Sequence, residues 1–356
     1  MNERISTLSH LILPLLEWFR DNQRTLPWRS DPTPYHVWVS EIMLQQTRVA
    51  AVLCYYRRFM EALPTVADLA QVEEDQLLKL WQGLGYYNRA RNLQKAARQI
   101  MEQFGGQFPR SYPDLLSLAG VGDYTAGAIA SIAFGLPEPA VDGNVLRVVT
   151  RITGDPSDIS QAATKKVIRA ALAEVIPLQA PGDFNQALME LGALVCLPNG
   201  APDCAHCPAH GFCAAHLTGK TAQIPVKGAK KPRKIEEQTV YLLFHCGQVA
   251  LRRRPAKGLL AGLWEFPNEV VGSAESAGWG LDLTQAEVCG VGRHIFTHRE
   301  WHMTGKQLFL ANETLPEGWV WADEKAFCET YAVPNAFSAF LPAVEAYFAQ
   351  WRGGLS

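Results

Sequence analysis

The run Leu118-Ala-Gly-Val-Gly-Asp-Tyr-Thr-Ala126 leaves few folds open to the segment around it. Gly120 and Gly122 can take backbone angles that residues with a Cβ avoid, so two helices can join through a very short turn. The run predicts a helix, a glycine hairpin and a second helix. Backbone N–H groups of Gly120, Val121 and Gly122, with those opening the second helix, then point outward and can hold a phosphate. An ordinary helical hairpin has the same pattern. Some twenty residues later Val141-Asp-Gly-Asn144 places an acid just beyond the unit. A phosphate grip that reads no base, beside a carboxylate, suits an enzyme acting on DNA of many sequences.

At 356 residues the chain is too long for one typical core, and two or three domains are expected. Its 48% hydrophobic and 19% charged content excludes a disordered chain. No apolar run reaches the length of a membrane span. Leu11–Leu16 is apolar, but Glu3, Glu17 and Arg20 flank it and no small-residue cleavage site follows. Ile5 to Arg20 therefore reads as an amphipathic helix rather than a signal peptide, and a cytoplasmic, bacterial-type protein is expected. The net charge of −2 announces no nucleic-acid binder. Residues 1–235 carry 24 Lys+Arg against 21 Asp+Glu, and residues 236–356 carry 9 against 14. Any DNA contact must come from local basic patches and helix N-termini.

Residues 1 to about 217 read as helical, with apolar residues at three and four, as in Leu77, Leu78 and Trp81. Thr33-Pro34 and Ser111-Tyr-Pro-Asp look like helix starts. Gly83–Gly85, Gly105-Gly106 and Gly120–Gly122 break the pattern. Residues 219–238, with Lys227, Lys230, Lys231, Arg233 and Lys234 among prolines, read as an exposed basic linker. It could follow a phosphate backbone or simply be solvated. From Thr239 short β-rich segments appear, and Ser338 to Trp351 reads as a closing helix. This part is α+β.

Cys196, Cys204, Cys207 and Cys213 form C-x7-C-x2-C-x5-C within 18 residues. Disulfides would strain so short a loop, so a metal site is expected. Structural zinc usually joins two C-x-x-C pairs. One pair with two outlying ligands wraps a larger object better, which favours an iron–sulfur cluster over zinc. Cys54, Cys246, Cys289 and Cys328 are isolated and are expected to be small buried hydrophobes.

Two acids stand out. Glu41 lies in Trp38-Val-Ser-Glu-Ile-Met, an otherwise apolar helix, where Arg24 or Arg29 could pair with it. Asp142 precedes Gly143-Asn144. Together they suit glycosidic cleavage: a protonated acid assists the leaving base, and an ionised one stabilises the cationic sugar. The acid needs a raised pKa, which Trp38, Ile42 and Met43 could supply. Asp142 must stay ionised, and the Asn144 amide is placed to hydrogen-bond it.

With the hairpin, Asp142 and the four-Cys loop in hand, the chain resembles the helix-hairpin-helix DNA glycosylases that carry an iron–sulfur cluster, and within them the MutY-type subfamily. Arg24-Thr-Leu-Pro-Trp-Arg29, Ser40-Glu-Ile-Met-Leu-Gln-Gln-Thr47, Leu80-Trp-Gln-Gly-Leu-Gly-Tyr-Tyr87, Val141-Asp-Gly-Asn-Val145 and Asp183-Phe-Asn-Gln-Ala187 support this. The resemblance implies a mainly α N-terminal region: a six-helix barrel with helix-hairpin-helix at 26–134, and an iron–sulfur helical domain from 1–25 and 135–218 holding one [4Fe-4S] cluster. It implies Glu41 as general acid and Asp142 as oxocarbenium stabiliser, assisted by Asn144 and Tyr124. Arg24, Trp28, Arg29 and Gln186 would line an adenine pocket, and Gln46, Leu84 and Tyr86 would enter the duplex around the partner base. The implied substrate is double-stranded DNA with adenine opposite 8-oxoguanine or guanine, taken by a monomer with no membrane partner.

Endonuclease III is similar but carries a lysine where this chain has Tyr124, and a tyrosine cannot form a Schiff base. Leu146 offers no lysine either. A monofunctional glycosylase leaving an abasic site is expected. Residues 239–356 resemble the family's Nudix-like domain, chiefly through Gly258-Leu-Leu-Ala-Gly-Leu-Trp-Glu-Phe-Pro267. They lack the R-E-x-x-E-E run of a working hydrolase, so binding without hydrolysis is expected. The family's Phe-Ser-His loop, which reads 8-oxoguanine, corresponds to Phe296-Thr297-His298, with a hydroxyl retained. The first Cys gap is seven residues where the family typically has six.

Overall fold

Thr33 and Ser111 set helix starts by the same device. Each side-chain oxygen accepts the backbone N–H three residues on, from His36 and Asp114, both at 3.2 Å, and each is followed by proline in the first turn. In this computed structural model, residues 2–228 and 232–354 are described. Lys230 and Lys231 of the basic run lie outside them.

The chain forms two compact units, residues 1–71 with 92–229 and residues 72–91 with 230–356. Helices of the first are α1 (Asn2–Asn22), α2 (Pro27–Ser30), α3 (Pro34–Leu44), α4 (Val49–Ala62) and α5 (Val66–Gln71). After α6 (Glu74–Trp81), which belongs to the second unit, α7 (Asn88–Gln103) returns to the first. There follow α8 (Tyr112–Ser117), α9 (Asp123–Ala128), α10 (Gly143–Thr153), α11 (Ala162–Ala173), α12 (Pro181–Leu194) and α13 (Ala214–Leu217). Leu8, Leu11, Leu15 and Phe19 of α1, spaced by three and four, sit in one core with Val145, Val148, Val149 and Ile152 of α10 and Leu188 and Leu191 of α12. The apolar stripe of α1 is thus spent inside the fold. No described helix is long and apolar enough to cross a membrane.

The hairpin joins α8 to α9. Gly120 has φ +73°, and a Cβ there would lie 2.6 Å from Asn92 Cβ, so only glycine fits. Gly122 differs from expectation. It caps α9 with extended backbone (φ −103°, ψ −178°), and nothing lies within 4 Å of where its Cβ would be. One glycine makes the turn, and the other leaves the surface bare. Beyond α9 the chain passes into a π-helical turn, Ile129–Ala133, a distortion common near functional sites.

The second unit holds β1 (Lys234–His245), β2 (Gln248–Arg253), β3 (Trp264–Glu265), β4 (Asn268–Val270), β5 (Glu287–Ile295), β6 (Arg299–Phe309) and β7 (Trp319–Asp323). The sheet order is β3-β2-β1-β6-β5, with β4 on β1 and β7 on β2. β1 and β6 run parallel from Lys234↔Arg299 to Phe244↔Phe309, and the other pairs are antiparallel. β1 is buried on both faces. Val240, Leu242 and Phe244 enter one core with Phe337, Phe340 and Val344, while Tyr241 and Leu243 meet Trp279, Trp319 and Trp321. The strand begins at Lys234, inside the stretch read as linker, because in-register pairing with β6 orders Lys234–Gln238 despite their polar composition. α14 (Glu324–Glu329), a 3-10 turn (Asn335–Phe340) and α15 (Leu341–Arg352) close the chain.

The isolated cysteines are not buried as expected. Cys54, Cys246 and Cys328 are exposed, and Cys289 is half-buried. Cys54 lies on the face of α4 away from buried Val52, Tyr56 and Phe59. Cys246 sits at φ +41° in the turn between β1 and β2. Cys328 lies on α14, which buries none of its residues.

Candidate active site

α3 buries Tyr35 and then every residue from Val37 to Met43, Glu41 included. Glu41 is 6% exposed. Burial pushes its carboxyl up to about 7, against a hydrogen bond from the Tyr124 hydroxyl, with Asp142 adding to the rise and Arg29 opposing it. The arginine partner considered for Glu41 is not what the fold supplies. Tyr124, at the start of α9, donates to Glu41, and its oxygen lies 3.3 Å from Met189 Sδ. Burial and both carboxyls push the Tyr124 phenol well above its ordinary range.

Asp142 is the N-cap of α10. Its Oδ1 accepts the Val145 N–H at 2.8 Å, and its Oδ2 accepts the Asn144 amide at 3.0 Å. Burial raises Asp142, while these donors and Arg147 pull it down. The net effect is a raised carboxyl, with the donors and Arg147 offsetting only part of the burial, so ionisation of Asp142 is opposed by its surroundings rather than secured by them. Arg147 links outward: one guanidinium nitrogen donates to Asn144 Oδ1 and Gly192 O, both at 2.8 Å, and Nε donates to Cys196 O at 2.8 Å. Buried Asn185 holds the turn before Asp142, taking the Ala140 N–H at 3.0 Å and donating to Glu138 O and Ser131 Oγ at 2.8 Å.

Arg24 and Arg29 converge on Glu190 of α12. Arg24 donates from Nε (2.7 Å) and Nη2 (2.8 Å), and Arg29 from Nη1 (3.1 Å) and Nη2 (2.9 Å). Burial would raise Glu190, but these bonds outweigh it and hold the carboxyl down at about 2. Arg29 Nε reaches Gln186 Oε1 at 3.0 Å, so three of the four residues expected around the base are tied together. Trp28 instead packs edge-on against Tyr56, with ring centroids 5.0 Å apart. Glu190, Asn185 and Arg147 were not singled out from sequence. Glu190 and Arg147 each stand as a charge on a helix with an apolar face, and Asn185 lies inside the Asp183-Phe-Asn-Gln-Ala187 run.

Gln46 and Tyr86 both stand at positive φ, +59° and +48°, a conformation that costs energy for residues with a side chain. Both are exposed, whereas Leu84 is buried. Leu84 is therefore not presented as a wedge in this state. Phe296, Thr297 and His298 form the turn between β5 and β6, closed by Phe296 N–H to Arg299 O at 2.9 Å. Phe296 packs on Trp301, with centroids 4.8 Å apart, and Thr297 and His298 are exposed.

Cys196, Cys204, Cys207 and Cys213 line one cavity with Arg151 and Leu191. Among the described residues no three His, Cys, Asp or Glu side chains are set to hold a metal ion. Burial pushes Cys207 up to about 12 and raises Cys204 and Cys213, so thiolates there need a cationic group to neutralise them. Arg151 donates to Cys196 Sγ at 3.3 Å and to Ile224 O at 2.7 Å. Cysteine sulfur is a soft donor suited to iron or zinc, and all four cysteines line this one cavity.

A glycine hairpin between two short helices, with buried Glu41 before it in the chain and half-buried Asp142 after it, fits a helix-hairpin-helix base-excision glycosylase. Residues 39–177 match the HhH-GPD superfamily base excision DNA repair protein, and residues 239–343 match the NUDIX domain. The adenine DNA glycosylase of Mus musculus is 36% identical over 383 residues, spanning 88% of this chain and 74% of that protein. That of Buchnera aphidicola subsp. Baizongia pistaciae is 38% identical over 257 residues, 71% and 72% of the two chains. The chain belongs to the adenine DNA glycosylase family, and its reaction lies in base excision repair. Among solved structures, a thermostable thymine-DNA glycosylase superposes with TM-score 0.53 at 26% identity, covering 61% of this chain and 98% of that one. Endonuclease III in a trapped covalent DNA intermediate gives 0.52 at 25%, covering 60% and 98%.

Proposed function

We propose that this glycosylase removes adenine paired with 8-oxoguanine or guanine and stops at the abasic site. The observation that carries the reading is Glu41, a buried carboxyl that accepts the Tyr124 hydroxyl and is pushed up to about 7, chiefly by burial, with Asp142 contributing to that rise. Glu41 gives its proton to N7 of the extruded adenine. The C1′–N9 bond then breaks with its electron pair on the base, which leaves neutral. Asp142, its oxygens fixed by the Val145 N–H and the Asn144 amide, faces the oxocarbenium ion, and water adds to C1′ while its proton passes to the Glu41 carboxylate, which restores the acid. Arg24, Arg29 and Gln186 frame the base. Gly120, Val121 and Gly122 hold a backbone phosphate.

No lyase step follows, because the residue at the hairpin is Tyr124, which donates to Glu41, and no amine stands there to attack the sugar. The substrate of the C-terminal unit is the partner base, read by Phe296, Thr297 and His298. Glu265 of its strongest motif takes Arg252 at 2.9 Å on one oxygen and Arg254 on the other. It is spent on ion pairs rather than left for a metal. The four cysteines would hold one [4Fe-4S] cluster, which would pin the Pro198–Phe212 loop.

Single-turnover excision on duplexes with adenine opposite 8-oxoguanine, guanine or thymine, and thymine opposite guanine, tests the reading. Fastest release of adenine opposite 8-oxoguanine is expected. Preferred thymine release, or a stoichiometric adduct trapped by borohydride, would overturn it.

A further inference from the structure

Within the second unit, the segment that carries Tyr86 is fastened to the C-terminal fold along one face of α6. Asp75, Lys79 and Gln82 are spaced by four and three and share that face, while Leu77, Leu78 and Trp81 are buried. Lys79 Nζ donates to Phe327 O at 3.0 Å and Tyr331 O at 2.9 Å. Both carbonyls lie at the C-terminal end of α14, where a cation is favoured. Gln82 Nε2 donates to Val333 O at 2.8 Å, and Asn335 Nδ2 donates back to Gly83 O at 3.2 Å. Arg253 pairs with Asp75 at 2.7 Å.

Directly beyond these ties lies the loop. Gly83, Gly85 and Tyr86 take positive φ, +105°, +70° and +48°. The Trp81 indole N–H donates to Gly85 O at 3.1 Å, and Arg89 donates to Leu84 O at 3.0 Å and Gly85 O at 3.1 Å. The loop is thus one preset shape, and its base is gripped by the end of α14 and the Val333–Asn335 strand of backbone.

We propose that Lys79, Gln82 and Asn335 are positioning residues that let the C-terminal fold set the Tyr86 loop, so that reading of the partner base and entry of Tyr86 beside it act as one step. The inference rests on the proposed role of Tyr86 in the duplex. Coupling of this kind gives a specificity the reading loop alone lacks, since partner contacts are rewarded only when the wedge is in place.

The test uses the full chain and a duplex with a fluorescent base analogue beside the partner base, so that unstacking is read as a rise in emission. Lys79→Met and Asn335→Ala should each lower that rise. They should also cut the ratio of excision rates opposite 8-oxoguanine and guanine, by about tenfold for Lys79→Met, the scale of a lost charge-assisted hydrogen bond, and by about threefold for Asn335→Ala, the scale of a lost neutral one. Lys79→Arg should restore both. Thermal melting checks that each variant is folded, and the exposed Asn335 keeps the test open if Lys79→Met is not. Parental emission and ratio in Asn335→Ala and a folded Lys79→Met overturn the proposal. Tyr86→Ala separates the two readings. If it leaves the emission unchanged, the role of Tyr86 fails. If it abolishes the emission while the positioning variants do not alter it, only the coupling fails.

Discussion

Glu41 carries two opposing demands, and its variants should show both. As a buried acid it is active when protonated, so excision should fall as pH rises through about 7. Its folded pKa lies above the ordinary 4.5, so the folded state binds the proton more tightly. Stability from this group is complete below that value and is lost as pH rises toward 7, to the extent of ~3 kcal/mol. Glu41→Gln should therefore lose roughly 10²–10⁴-fold in excision yet melt higher than the parent at pH 8, with the gap closing at pH 5. An equal melting difference at both pH values would contradict the shift. Asp142→Asn separates cap from chemistry. Asparagine caps a helix about as well as aspartate, so melting should change by less than about 1 kcal/mol while turnover is lost. These acids were legible because each is an exception within its own short motif. Glu190 was not, because its partners Arg24 and Arg29 lie 166 and 161 residues away, and no local pattern reports such a pairing.

Helix contacts are set by absent side chains as much as by present ones. A Cβ on Gly192 of α12 would stand 2.6 Å from Asn144 Cβ of α10. Gly192→Ala must push the residue that holds Asp142, at a cost of about 1–3 kcal/mol, and excision should fall without any change to the acids. The hairpin gives a paired test. Gly120→Ala meets both a positive φ and Asn92 and should destabilise the first unit, whereas Gly122→Ala meets nothing. It should keep parental melting while weakening duplex binding, if that bare surface faces a phosphate. Retained affinity would remove Gly122 from the DNA-facing surface. At this scale the sequence reading was good where the signal is local. The caps at Thr33 and Ser111 formed as their Pro-following pattern predicts. It was poorer where pairing decides, as at Lys234–Gln238, whose strand state comes from β6 rather than from their own propensity.

At the scale of the whole chain, the change from helical to β-rich near residue 230 was plain in composition, because a strand buried on both faces needs the dense apolar run of Val240–Phe244. How the helical part closes was less plain. Its core takes α1 from one end of the sequence and Ala209, Cys213, Ala215 and Ile224 from far along it, with Cys196 and Cys207 packed at the margin. The cysteine cavity thus lies against that core, and Arg151 spans it from Cys196 to Ile224. The proposed cluster, held there, would add its binding free energy to this unit's folding rather than to the sheet. Cys204→Ser should then lose iron and visible absorbance and lower the melting of the helical unit by several degrees. The tryptophan signal of the sheet core, from Trp264, Trp301 and Trp321, should melt where the parent's does. Two separated transitions are expected in the variant, since the units have distinct cores. An iron-free Cys204→Ser protein with parental melting in both probes would show that the cavity is closed by packing alone, with the cysteines contributing as buried thiols.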